Sequence, residues 1–101
     1  MDKEQIKAKL AEAVKSNPYV DDIKSVAIFG SYAAGEATDA SDVDVLIDFV
    51  PKAVVGFFKY VRIQRYLGEV LGLNVDLVTP QALSKYIKPQ VLQDAEIVYE
   101  K

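Results

Sequence analysis

Two short motifs, separated by ten residues, contain the side chains best suited to phosphate chemistry. Gly30 and Ser31 end an apolar run, and Asp42 and Asp44 stand at the head of the next one. Glycine lets a phosphate approach the backbone closely, and the serine hydroxyl can donate a hydrogen bond to it. Carboxylates two positions apart on a strand leave the same face about 6.6 Å apart. Such a pair can converge on two divalent cations, so this spacing predicts a site for metal-assisted nucleotidyl transfer.

A third carboxylate, Asp76, lies inside the apolar run 74–78. Its neighbours predict that it is buried or half-buried, where an unpaired carboxylate is unfavourable. In one interpretation it forms a salt bridge to a Lys or Arg of a neighbouring helix. In the other it binds one metal ion and accepts the proton of an attacking hydroxyl. Asp48 shares the strand face of Asp42 and Asp44 but lies too far along the strand to join them, and we interpret it as a surface or helix-paired residue.

The composition excludes several classes of chemistry. The chain contains no cysteine and no histidine, which excludes thiol catalysis, Ser-His-Asp triads, disulfides and His/Cys zinc sites. A bound metal would have oxygen ligands only, which favours Mg²⁺ or Mn²⁺. The net charge is −3 and the basic residues form no stripe. Direct binding of DNA or RNA is therefore disfavoured, whereas a mononucleotide is compatible with this charge.

The length of 101 residues predicts one domain, residues 1–101. No apolar stretch approaches the length of a membrane span, and no signal-peptide pattern opens the chain. We therefore expect a cytoplasmic protein without a membrane partner.

Hydrophobic periodicity predicts the elements that position the acidic side chains. Helical spacing predicts two longer helices and two shorter ones, over about 2–15, 54–71, 80–86 and 89–94. Short apolar runs predict four strands, over 24–29, 42–50, 74–78 and, at a sheet edge, 96–99. The small residues of 31–41 predict one helical turn. The longest helix is expected to end at Gly72 and to bury an apolar stripe of Phe57, Tyr60, Ile63, Leu67, Val70 and Leu71.

The lengths of the connections constrain how the strands pair. Ten residues are too few for a parallel crossover, so the first two strands should be antiparallel, with Ser31 beside Asp42. A full helix joins the second and third strands, which predicts a parallel pair with a right-handed crossover. The expected fold class is α/β (α+β), a small mixed sheet with flanking helices.

Four segments together resemble a known family. They are Ile28–Ala37, Ser41–Phe49, Val75–Thr79 and Glu96–Glu100. In this order they are similar to the minimal nucleotidyltransferases of the polymerase-beta superfamily, which include the MNT antitoxins of HEPN/MNT toxin–antitoxin pairs. The resemblance covers nearly the whole chain and implies a nucleotidyltransferase-like fold.

The resemblance also implies an activity. The protein would use Mg²⁺ and ATP to transfer AMP to a tyrosine of a HEPN-domain ribonuclease toxin and so silence it. Gly30 and Ser31 would hold the triphosphate, Asp42 and Asp44 would bind both metal ions, and Asp76 would be the third catalytic and metal-binding acid.

The chain departs from the family pattern at Ala34, where the family commonly has Arg. Alanine cannot supply the bidentate phosphate contacts of a guanidinium. Four basic residues could reach the site from elsewhere or could simply solubilise a helix face: Lys52, Lys59, Arg62 and Arg65. Two alternatives stay open beside the protein adenylyltransferase. One is an antitoxin that neutralises its partner by contact, with an interface at Phe57–Tyr60, and the other is transfer to a small-molecule alcohol.

Overall fold

The computed structural model describes residues 1–101 as four helices and four strands that alternate through most of the chain. In order they are α1 (Lys3–Lys15), β1 (Ile23–Phe29), α2 (Gly30–Ala34), β2 (Val43–Phe49), α3 (Phe57–Leu71), β3 (Val75–Val78), α4 (Lys88–Asp94) and β4 (Glu96–Glu100). Short 3₁₀ turns occupy Val20–Asp22 and Pro80–Ala82. No helix is long and apolar enough to cross a lipid bilayer.

The strands form one mixed sheet in the order β3–β2–β1–β4. Strand β1 is antiparallel to both β2 and β4, and β2 is parallel to β3. The predicted antiparallel pairing of β1 with β2 and parallel pairing of β2 with β3 are therefore confirmed, as is the α/β class. The edge strand predicted at 96–99 is also confirmed and runs one residue further, to Glu100.

The core lies between one face of the sheet and the two long helices. Alternate residues of β1 and β2 point to this face and are fully buried: Val26, Ile28, Val43, Val45 and Ile47. They pack against Ile6, Leu10 and Val14 of α1 and against Ile63 and Leu67 of α3. We call this the closed face of the sheet. The other side carries Asp44, Leu46 and Asp48 of β2 and is the open face.

Three predicted helix features differ from the structure. The helix α3 begins at Phe57 rather than Val54, because Gly56 is extended and serves as its N-cap. The helix predicted for 80–86 is a single 3₁₀ turn, because Leu83 is extended and ends it. Phe57 and Val70 are exposed, at 75% and 39%, so they do not belong to the buried stripe of α3. The predicted end at Gly72 is confirmed, since Gly72 has a left-handed conformation and its amide donates to Gly68 O.

Candidate active site

The sheet places Asp44, Asp76 and the glycine–serine turn at one end of its open face. Phe29 pairs with Asp44 across the antiparallel strands, so the Gly30–Ser31 turn follows directly beside Asp44. Asp44 in turn pairs with Asp76 across the parallel strands β2 and β3. Neighbouring strands lie about 4.8 Å apart, and paired residues point to the same face. Two of the three predicted acids are therefore direct neighbours, with the turn next to them.

Position 30 requires glycine because the side chain of Asp44 packs directly against its backbone. Its φ of +72° lies in the left-handed region, and a Cβ added there would overlap Asp44 Oδ2 and come within 3.0 Å of Asp44 Cγ. A side chain at this position would displace the carboxylate or the turn. The turn then enters the short helix α2, whose second residue, Ser31, is half-buried. The glycine thus allows the predicted phosphate-binding turn and the predicted metal ligand to pack against each other.

The structure corrects the expected burial of Asp76. Its side chain is exposed, not buried, and it lies on β3, which is an edge strand of the sheet. Nor does Asp76 form a salt bridge; the ion pairs of the protein are Lys3–Glu96, Lys7–Glu96 and Lys59–Asp22. The carboxylate is therefore accessible to a bound molecule. The suggested salt bridge to a Lys or Arg of a neighbouring helix is absent.

Asp42 precedes β2 by one residue and is exposed. It borders an open groove of about 910 Å³ between α3 and the segment before β2. Among the four basic residues suggested by the sequence, Arg65 lines the same groove. Lys59 already has other partners, because it forms an ion pair with Asp22 and lies 5.1 Å from the centre of the Tyr19 ring. Arg62 donates to the Tyr19 hydroxyl at 3.5 Å.

The half-buried carboxylate of Asp44 lies in surroundings that disfavour its charged form. Burial raises its pKa above the usual value of 3.8, and the negative charges of Asp76 and Asp42 raise it further. Like charges close together disfavour ionisation unless a cation compensates them. The three side chains nevertheless do not converge closely enough to form a preformed metal cluster. Their all-oxygen donor set fits Mg²⁺ or Mn²⁺, but binding would require the side chains to rotate toward the ion.

Two residues of α3 form hydrogen bonds to the backbone of β3, the strand that carries Asp76. The hydrophobic periodicity of the sequence did not indicate this role. The Tyr60 hydroxyl donates to Leu77 O, and Gln64 Oε1 accepts a hydrogen bond from Leu77 N at 3.3 Å. Both backbone groups of Leu77 face the outer edge of the sheet. Burial and the charge of Asp76 raise the pKa of Tyr60, so this hydroxyl stays a neutral donor. The position of Asp76 thus depends on α3 as well as on β2.

A hollow of about 450 Å³ adjoins the glycine–serine turn. Gly30, Ala33, Ala34 and Asp94 line it, and no basic side chain does. Lys3 donates to the carbonyl oxygen of Ala33 at 3.4 Å, but its ammonium group is also bound to Glu96 at 2.9 Å. No basic side chain thus lines the hollow at Ala34 as an arginine at this position would. Asp48 is half-buried and unpaired, at the far end of β2 from the acids.

The fold and this arrangement define a class of protein. The family model described as "Nucleotidyltransferase domain" matches residues 7–98. The chain therefore belongs to the nucleotidyltransferase domain family, and it is an enzyme of that class.

One relative and two solved structures are similar to this chain and indicate which kind of nucleotidyltransferase it resembles. Protein adenylyltransferase MntA of Thermococcus cleftensis is 40% identical over 77 residues, covering 76% of this chain and 74% of MntA. A solved minimal nucleotidyltransferase is 34% identical and superimposes with a TM-score of 0.76, over 95% of both chains. A structure of tri-AMPylated Shewanella oneidensis HEPN toxin with its MNT antitoxin matches with a TM-score of 0.67 and 17% identity, over 98% of this chain and 73% of that chain. The resemblance to minimal nucleotidyltransferases is thereby confirmed.

Proposed function

We propose that this protein is a Mg²⁺-dependent protein adenylyltransferase. It transfers AMP from ATP to a tyrosine hydroxyl of a HEPN-domain toxin and acts as the antitoxin. The observation that carries the proposal is the contact between Asp44 and the Gly30 backbone, with Asp76 as the next residue across the sheet. This contact joins a phosphate-binding turn to two carboxylates. The 40% identical relative is itself a protein adenylyltransferase, which supports AMP as the transferred group.

Each site residue has a distinct role in this proposal. The turn at Gly30 and Ser31 would bind the triphosphate, and the Ser31 hydroxyl would donate to a phosphate oxygen. Asp42 and Asp44 would hold Mg²⁺, with Asp76 completing the set. The bound ion would neutralise charge that develops on the phosphates. It would also lower the pKa of Asp44, which burial and the neighbouring acids raise in its absence.

In the reaction, the tyrosine oxygen attacks the α-phosphorus of ATP. A new O–P bond forms, the bond to the bridging β-phosphate oxygen breaks, and pyrophosphate leaves. Asp76 accepts the proton of the tyrosine hydroxyl, because it is an exposed carboxylate without a salt bridge. Since transfer of this kind needs little covalent chemistry from the protein, positioning and charge neutralisation would supply most of the rate enhancement.

The test is transfer of label from α-labelled ATP to a co-purified HEPN-domain protein in the presence of Mg²⁺. We expect Asp42→Asn and Asp44→Asn to lower the rate by at least about 1,000-fold, because each removes a charged ligand. Asp21→Asn, an exposed carboxylate remote from the site, is the matched control and should retain full activity. An Asp44→Asn variant as active as the wild type would refute the metal-binding role.

A second candidate, neutralisation by contact, is favoured by Ala34 and by the hollow beside it, which no basic side chain lines. A protein of that kind would suppress the toxin equally well with Asp42→Asn or without ATP. The adenylyltransferase would lose suppression in both cases.

A further inference from the structure

The edge strand β3 is short, and only one of its sides pairs with another strand. It contains four residues, Val75–Val78, and its neighbour in the sheet is β2. Backbone groups on the other side of an edge strand have no partner within the sheet. At Leu77 these groups are bonded to side chains of α3 instead. The outer edge of the sheet next to Asp76 is therefore attached to a helix.

Both bonds to Leu77 come from one side of α3. Tyr60 and Gln64 are four residues apart, so their side chains project from the same side of the helix. The Tyr60 hydroxyl donates to Leu77 O, and Gln64 Oε1 accepts a hydrogen bond from Leu77 N at 3.3 Å. The Leu77 N–H belongs to the planar peptide group that joins this residue to Asp76. The bond to Gln64 therefore restricts the backbone immediately after Asp76.

Repulsion between Asp44 and Asp76 acts against the pairing of β2 and β3. The two residues are in register across the strands, and like charges at paired positions destabilise a sheet. Burial and the charge of Asp76 raise the pKa of Tyr60, so its hydroxyl lies in the field of the same carboxylate. Because no strand supports β3 from outside, the bonds from α3 are placed to resist this repulsion.

We propose that Tyr60 and Gln64 are positioning residues for adenylyl transfer, which hold Asp76 in register with Asp44 through the backbone of Leu77. This inference rests on the proposed function, in which Asp76 accepts the proton of the attacking hydroxyl. Neither residue touches the reacting atoms in this role. Loss of either bond allows β3 to shift, and Asp76 then leaves the position from which it takes the proton. Residues that orient metal-binding or catalytic groups contribute about 10- to 100-fold to activity.

The first test compares two tyrosines of α3. Tyr60→Phe removes only the hydroxyl that binds Leu77 O. We expect kcat for label transfer from α-labelled ATP to the HEPN-domain acceptor to fall at least about tenfold, with the KM for ATP unchanged. Tyr66→Phe is the matched control, because the Tyr66 hydroxyl donates to Ser16 O at 3.1 Å, at the C-cap of α1. It loses the same kind of hydrogen bond and should keep the wild-type kcat.

The second test measures the attachment of β3 without any transfer. Gln64→Met keeps an unbranched side chain with good helix propensity but removes the acceptor oxygen. We expect hydrogen exchange of the Leu77 amide, followed by NMR, to become at least about tenfold faster in this variant. The Tyr66→Phe control should leave this exchange rate unchanged.

Four outcomes would overturn the inference. The first is a wild-type kcat in Tyr60→Phe, and the second is an equal fall in Tyr66→Phe, which would indicate a general loosening of α3. The third is a rise in the KM for ATP at unchanged kcat, which would assign Tyr60 to nucleotide binding. The fourth is an unchanged exchange rate of the Leu77 amide in Gln64→Met. Failure of the proposed function is distinguishable, because the wild type would then transfer no label, while the exchange at Leu77 would still report on the bond to Gln64.

Discussion

The two faces of the sheet differ in what their side chains do. On the closed face, alternate residues such as Val45 and Ile47 are completely buried against helices. On the open face, the residues between them include Asp44, Leu46 and Asp48, and no helix packs over the acids. One strand of seven residues therefore buries one set of side chains in the core and, in the proposed function, supplies Asp44 to the active site from the other set. This division predicts that substitutions on the two faces have different consequences.

The largest effect on stability should come from the closed face. Ile47→Ala removes a fully buried side chain, and we expect the free energy of unfolding to fall by about 2–5 kcal/mol. Ile97→Ala is the same substitution on a strand position that is 58% exposed, and it should cost about 1 kcal/mol or less. Urea denaturation of both variants measures the difference. Equal losses would contradict the assignment of the two faces.

A smaller effect on stability, but a large one on activity, is expected at Gly30. Gly30→Ala introduces a Cβ that overlaps Asp44, in addition to the strain of a positive φ of about 1–2 kcal/mol. Gly35→Ala provides the control, because its φ of +74° is nearly identical and no atom lies within 4 Å of the added Cβ. We expect the Gly30 variant to lose at least about 100-fold in transfer rate through displacement of the carboxylate. The Gly35 variant should show only the stability loss.

The smallest effect, with the opposite sign, is expected at Asp44. Because its folded-state pKa is raised, the ionised carboxylate destabilises the fold, and stability is lost as the pH rises through that pKa. Asp44→Asn should therefore raise the Tm by a few degrees at pH 7 in EDTA, and the gain should vanish near pH 3.5. Mg²⁺ should raise the Tm of the wild type but not of the variant. A variant less stable than the wild type at pH 7 would contradict the raised pKa of Asp44.

The difference between the two faces also explains why some sequence predictions were confirmed and others were wrong. The alternation in 42–50 correctly divided β2 between its faces, because the pleat of a strand fixes side-chain direction locally. The burial of Asp76 was predicted wrongly, because apolar neighbours show that a strand is buried on one face only. Whether the other face is covered depends on helices that are distant in sequence. The prediction that the apolar stripe of α3 includes Phe57 was wrong for a similar reason. Helical spacing shows which residues share a face, but not which part of that face is covered by the rest of the protein.

The amino-acid sequence by itself determined the types and order of the candidate site residues, the exclusion of histidine and cysteine chemistry, and the relative directions of β1, β2 and β3. These follow from composition and from connection lengths, which are properties of the chain alone. Only the tertiary structure decided that Asp44 lies against Gly30 and that Tyr60 and Gln64 hold the strand of Asp76. These contacts join residues from different elements, and their geometry depends on how the helices and strands pack.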